Sequence, residues 1–334
     1  MSLRFMLSRS TPAVPDCAPL PDTAAMAAPL CRSRTTWTAL AAVALSCTAV
    51  AAHAQISVKD DTGATVTLPA PAKRIISLSP HATELLFAAG AGDRIVGTVA
   101  YADYPEAARK ITRVGDNSAL DLERIIALKP DLLVVWMHGN SQRQVDRLRT
   151  LGLPLFYSEP KHLTDLPGAI ERLGTLTGTP AAAQISANQF RQDYETLRMR
   201  YAARAPVSVF YQVWTQPLMT LNGTHMVSDV IRLCGGRNIF SEESALVPRV
   251  SIEAVLAARP EAMFTATPGA TSTDKPLATL DNWRKWPQLP AVANNNLFGI
   301  DGDLINRPAP RILQGAKTMC EDLDLVRQRR GDKR

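Results

Sequence analysis

One eleven-residue pattern occurs twice, about 130 residues apart. Asp-Leu-Glu-Arg-Ile-Ile-Ala-Leu-Lys-Pro-Asp at 121–131 is answered by Ser-Ile-Glu-Ala-Val-Leu-Ala-Ala-Arg-Pro-Glu at 251–261. Glutamate, apolar pair, basic residue, proline and acid return in register without a gap. In both copies a short helix is stopped by the basic residue and proline. The first copy leads into Leu-Leu-Val-Val-Trp at 132–136, an apolar run with no polar interruption, as expected of a parallel strand covered on both faces. Such a repeat predicts two lobes of similar plan.

Between the copies lies one long helical stretch, 180–204. Its large apolar residues Ile185, Phe190, Tyr194, Leu197 and Tyr201 fall on one face at 3.6 residues per turn, with Gln189, Arg191, Gln192, Glu195 and Arg198 elsewhere. Pro180 suits a first helical turn, with Thr179 before it as cap, and Pro206 cannot continue the helix. The two lobes are therefore expected to be joined by this helix alone, a stiff connector beside a Gly/Ser tether.

Both flanks read as α/β. Before the helix, a hairpin is expected over 57–68, then strands at 73–79, 94–99, 132–136 and 153–157 alternating with helices ending near Ala89, Lys110, Leu128, Leu151 and Thr177. After it, strands at 207–213, 262–267 and 297–300 alternate with a helix capped by Ser228, another at 252–258 and a last one at 310–325. The expected organisation is an N-terminal extension and signal peptide at 1–54, the hairpin at 55–72, an N-terminal lobe at 73–178, the connecting helix at 179–205, a C-terminal lobe at 206–326 and a basic tail at 327–334.

At 334 residues, 46% of them hydrophobic and 20% charged, the chain has material for two packed interiors. Four arginines lie in 1–54 against Asp16 and Asp22, so the remainder carries 33 basic against 29 acidic residues, too mild a balance for a nucleic-acid groove. Arg32 and Arg34, an apolar run over 37–52 and Ala-His-Ala at 52–54 describe a secretory signal peptide cleaved after Ala54. Met26 stands where such a signal would start, as an alternative to Met1, while Cys47 follows Ala-Leu-Ser, a poor site for lipidation. Export leaves Cys234 and Cys320 as an even pair in an oxidising compartment, read as one disulfide, with two unrelated buried thiols as the alternative.

Several chemistries find no support. Gly-rich phosphate loops and the Gly-x-Ser-x-Gly elbow do not occur in a strand-to-helix setting. His81, His138, His162 and His225 are scattered without zinc spacing. No catalytic residue, metal ligand or cofactor is therefore assigned, although a secreted hydrolase cannot be recognised by sequence position and stays open as an alternative.

Five segments carry a resemblance: Ile-Ser-Leu-Ser-Pro-His-Ala-Thr-Glu-Leu-Leu-Phe-Ala-Ala-Gly at 76–90, Tyr-Ala-Asp-Tyr-Pro at 101–105, the 122–132 segment, Gly-Asn-Ser-Gln-Arg-Gln-Val-Asp at 139–146, and Cys-Gly-Gly-Arg-Asn-Ile-Phe at 234–240. Together they resemble the periplasmic cobalamin-binding proteins of ABC importers over nearly all of 73–325. The first and third are shared with haem- and siderophore-binding relatives, which form the nearest alternative. The resemblance implies the class III periplasmic binding protein fold: α/β, two Rossmann-like lobes joined by a single long backbone helix, with cobalamin or a related corrinoid in the cleft between them. It implies a monomer in the periplasm whose partner is the permease dimer of the importer, with Glu123 and Glu253 meeting basic permease residues.

For the ligand, Tyr101, Trp136 and Trp214 follow strand ends, where α/β sheets place ligands, and aromatic faces suit a wide, partly apolar macrocycle. Asp303 and Arg307 match family positions at the ligand's polar periphery, spaced to ion-pair when the cleft is empty. The chain departs from the family at Asn117 and Leu304, where aromatics are common. His138, beside Trp136, could reach a bound metal centre, against the plainer reading of a loop histidine.

Overall fold

A computed structural model describes residues 55–116, 118–201, 203–267 and 278–331. The signal segment with its cleavage point, Asn117 and the last three residues of the expected tail lie outside them.

The chain opens with an antiparallel hairpin, β1 (Ile56–Lys59) and β2 (Thr65–Leu68). Asp60 closes its turn by accepting from Thr62 and Ala64, and Asp61 ties the hairpin to a neighbouring strand through the Tyr157 carbonyl. Next come β3 (Ile75–Ser77), α1 (Pro80–Ala88), β4 (Ile95–Thr98), α2 (Leu122–Ala127), β5 (Leu132–Trp136), α3 (Gln142–Thr150), β6 (Leu155–Ser158) and α4 (Leu166–Thr177). The long helix α5 (Pro180–Tyr201) leads to β7 (Val207–Gln212) and the two-residue strands β8 (Trp214–Thr215) and β9 (Leu218–Met219). Then follow α6 (Met226–Leu233), β10 (Gly236–Asn238), α7 (Ile252–Ala258), β11 (Ala262–Thr267), α8 (Ala278–Asp281), α9 (Pro290–Ala293), β12 (Leu297–Asp301), α10 (Gly302–Ile305) and α11 (Ile312–Gly331).

The two main sheets are parallel and share one plan. The first has the order β4-β3-β5-β6 and the second β10-β7-β11-β12, so in each the first strand of the lobe lies between the second and third. The sequence repeat occupies equivalent places: α2 into β5 in one sheet, α7 into β11 in the other. Its details acquire reasons. Lys129 and Arg259, the basic residues before the prolines, both end their helices in the left-handed region, at φ 46° and 45°. The repeated acid then fastens the adjacent first strand: Asp131 accepts from the amides of Lys73 and Arg74, and Glu261 from the amide and hydroxyl of Ser208.

The helix α5 is the covalent passage between the sheets, and its burial follows expectation except at Ile185. Ala183, Ala187, Phe190 and Tyr201 face inward, while Ile185 is 72% exposed. The reason is the close approach of α4, where a Cβ at Gly174 would collide with that of Ala183; small residues permit contact that Ile185 would block. Nor does Thr179 cap the helix by its side chain, since its hydroxyl pairs with the Ala89 carbonyl and with Thr177. In the second lobe α6 begins two residues before Ser228: His225 is its cap, accepting from the Val227 amide, and Ser228 is buried within it, donating to the Asn222 carbonyl. The basic 327–331 stretch is the end of α11 rather than a tail, with Arg327 and Arg330 bonded to the carbonyls of Cys234 and Pro206. Cys234, after α6, and Cys320, in α11, form a disulfide.

Among the described residues, buried side chains form three groups. One packs behind the first sheet, one behind the second, and the largest runs from Leu68 and Phe156 through Ala183 and Phe190 on α5 to Tyr211, Phe264 and Met319.

Candidate functional site

Parallel strands put every strand's carboxyl end on one edge of its sheet, and helix N-termini gather at that edge. In the first lobe this edge carries the start of α1, the loop after β4 and the end of β5; in the second, the end of β7 and the residues after β12. Arg307, just past α10, reaches across to Glu84 on α1 and to Asp103 in the loop after β4, at 3.3 and 2.9 Å. The two carboxyl edges therefore face each other, and the space between them is the cleft.

All five expected cleft residues lie on these edges. Tyr101 is 75% exposed and holds φ 64°, a left-handed conformation costing a non-glycine residue on the order of 1–3 kcal/mol. An exposed aromatic held there gains nothing from burial in return. Trp136 ends β5, half-buried. Its indole meets the buried His81 ring edge-on at 5.4 Å, and a Cβ on Gly139 would fall within its ring. Asn140 fixes the strand end beneath it, accepting from the Trp136 amide at 2.7 Å and donating to the Leu78 carbonyl at 2.8 Å. Burial pushes the His81 pKa down to about 4, against a hydrogen bond to the Ser158 carbonyl, and the Arg307 charge adds to the depression. At neutral pH the ring beneath Trp136 is uncharged.

Trp214 stands on the small β8–β9 hairpin, 60% exposed, its indole N–H donated to the Gln216 carbonyl. Asp303 and Arg307 are paired at 2.7 Å, as their spacing suggested. Burial works against the Arg307 charge, but hydrogen bonding and charge from Asp103, with Asp303 and Glu84, more than offset it and raise its pKa. Asp103 is correspondingly lowered, burial opposing and Arg307 prevailing. Leu304 is half-buried beside this pair. His138 is not poised over the cleft as a free imidazole: its Nδ1 pairs with Glu159 at 3.2 Å.

Sequence reasoning missed the groups that hold these residues. Glu84, Asp103, Tyr104 and His81 all sit inside the segments that carry the family resemblance. Arg311 lies with Arg307 in the proline-containing connection between α10 and α11, where no periodicity marks it. Its guanidinium grips Glu84 through Nε and Nη2 at 2.9 and 2.7 Å and lies 3.8 Å over the Tyr104 ring.

Glu123 and Glu253 occupy matching positions, each two residues past the cap of its helix. Asp121 caps α2 and Ser251 caps α7. Both carboxylates are exposed at the carboxyl edge, where the helix dipole favours negative charge. Glu253 accepts from its own amide and from the Ser251 hydroxyl, which holds its pKa below the usual range. Among the described residues there is no cluster of His, Cys, Asp and Glu able to hold a metal ion, and no helix long and apolar enough to cross a membrane.

Residues 75–304 match the family model described as periplasmic binding protein. The vitamin B12-binding protein of Vibrio cholerae serotype O1 is 39% identical over 261 residues, covering 78% of this chain and 92% of that protein. The vitamin B12-binding protein of Yersinia pestis is 41% identical over 259 residues, covering 77% and 89%. Among solved structures, the periplasmic vitamin B12 binding protein BtuF of Vibrio cholerae superposes with a TM-score of 0.70 at 39% identity, over 77% of this chain and 98% of that one. The periplasmic heme-binding protein RhuT from Roseiflexus shares the fold at 24% identity and a TM-score of 0.64, over 76% and 99%.

Proposed function

This chain belongs to the periplasmic binding protein family, and from that premise we propose that it binds cobalamin or a related corrinoid in its inter-lobe cleft and delivers it to an ABC importer. The observation that carries the reading is the identity of about 40% with vitamin B12-binding proteins along nearly their whole length, which spans both cleft walls. Tyr101, Trp136 and Trp214 supply aromatic faces for the corrin ring. Asp303 and Arg307 meet amide groups at its rim, Arg307 donating to their carbonyls and Asp303 accepting from their N–H groups. No covalent step is needed: the chain is a carrier, not an enzyme, working as an exported monomer freed of residues 1–54.

Glu123 and Glu253 are the docking carboxylates. One stands on each lobe, at equivalent places of the repeat and on the cleft-side edge, so a permease dimer offering a basic group from each half meets both at once. Such exposed pairs set association rate and register more than affinity. A permease that gripped both lobes could also spread them, which gives a route to ligand release.

Calorimetric titration of the mature chain with cyanocobalamin tests the ligand: saturable one-to-one binding is expected, and heat from haem without heat from the corrinoid would replace the assignment. Reversing both charges, Glu123→Lys with Glu253→Lys, should abolish capture by the permease while leaving cyanocobalamin binding intact. Undiminished capture by that double variant would sink the docking role.

A further inference from the structure

We propose that Glu84, with Arg311 and Tyr104, forms a strut between the lobes that sets the width of the cleft and aims Arg307 into it. The positioning role rests on the cleft being the ligand site; the strut itself does not.

Glu84 finds its counter-charge across the cleft. It lies in the second turn of α1, on the first lobe, with its side chain only 2% exposed. Its three guanidinium contacts all come from the other lobe: Arg311 Nε on one carboxylate oxygen, Arg311 Nη2 and Arg307 Nη1 on the other. A buried carboxylate is tolerated when paired and costly when its partner is withdrawn. Here the partner can be withdrawn only by moving a lobe. Separation of the edges by a few ångströms would strand the charge inside the first lobe, so this pair opposes opening in a way that surface ion pairs do not.

The cation over Tyr104 makes the contact two-sided. Arg311 is held at its edge by Glu84 and on its face by the ring, both from the first lobe, which fixes direction as well as distance. Tyr104 in turn neighbours Asp103, the remaining first-lobe partner of Arg307.

Arg307 is thus held from two sides with different freedom. Glu84 is buried, whereas the side chains of Asp103 and Asp303 are 42% and 52% exposed. A ligand amide can exchange with the exposed carboxylates while Glu84 keeps the guanidinium in place. In these terms Glu84 and Arg311 are positioning residues, acting on the ligand through Arg307 and the cleft width.

The test places spin labels at the exposed Arg143→Cys and Lys285→Cys, one on each lobe, and measures their distance distribution by pulsed electron resonance in the ligand-free mature chain. Glu84→Gln should broaden or shift the distribution by several ångströms. Arg311→Lys, which keeps the charge and loses the two-pronged grip, should do the same and carries the test if the first variant fails to fold. Asp303→Asn, whose Arg307 contact lies within one lobe, should leave the spacing unchanged. Distributions for Glu84→Gln and Arg311→Lys that superpose on the parent would overturn the strut. Cyanocobalamin affinity should fall at least tenfold in the two strut variants; altered spacing with unaltered affinity would overturn the positioning role. A parent that bound no corrinoid would refute the proposed function, and the spacing would still decide the strut.

Discussion

Removing the Cys234–Cys320 bond by the double substitution to alanine should cost the chain about 4–5 kcal/mol. The two residues are 86 apart in sequence, and the loop-closure entropy that a cross-link removes from an unfolded loop of that length corresponds to about 4.6 kcal/mol at 25 °C. The folded side contributes little, because α6 and α11 pack against each other with or without the bond and alanine fits where each buried sulfur stood. Urea unfolding followed by tryptophan fluorescence and far-ultraviolet circular dichroism is the assay. With an m-value of about 3 kcal/mol/M for a chain of this size, the midpoint should fall by roughly 1.5 M. Because the effect works through the unfolded chain, cyanocobalamin affinity under native conditions should stay the same. A midpoint drop below about 0.3 M would mean that the unfolded second lobe keeps its ends together without the bond, and the entropic reasoning would fail.

Three further outcomes are expected. His225 caps α6 through an imidazole nitrogen that accepts a hydrogen bond, and burial holds its pKa at about 4, so between about pH 6.5 and 4 the unfolded chain binds the extra proton. Its contribution is therefore complete above pH 6.5 and declines as pH falls, by about 2 kcal/mol at pH 5, and His225→Asn should flatten the stability profile between pH 7 and 5 by that amount. Gly139→Ala drives a methyl into the Trp136 ring and should weaken cyanocobalamin binding tenfold or more with an unchanged unfolding midpoint; equal affinity would remove Trp136 from the site. Free and ligand-bound forms should differ by a small lobe rotation in scattering or crystallography, and a wide hinge closure would contradict the stiffness assigned to α5 and the Glu84 contacts.

What the sequence made legible was whatever repeats or alternates. The strand at 132–136 and the helix at 252–258 were readable to the residue because a proline and a change of periodicity bound each of them. The duplicated acids were visible too, though not their role of fastening a neighbouring strand, which depends on strand order. On α5 the expected face packs inward at Phe190, Tyr194, Leu197 and Tyr201 but not at Ile185, because the contact with α4 is built on the small residues Ala183 and Gly174. Ser228 has the chemistry of a cap, yet the turn at Asn222 recruits its hydroxyl and leaves the position to His225. The cleft's aromatic residues could be placed at strand ends, and its charged pair only through the family resemblance. Glu84 and Arg311 could not be paired, since 227 residues separate them and only the facing of the two edges joins them.

The interior that continues along α5 makes the two halves interdependent in a way their matching topology conceals. Each lobe has the strand order of a free-standing unit, but Ala183, Phe190 and Tyr201 belong to a stretch whose burial draws on both. A fragment ending or beginning at the long helix would expose that stripe to water. The duplicated plan is therefore no longer divisible: either half expressed alone should aggregate, and damage in one lobe should be felt as lost cooperativity in the other.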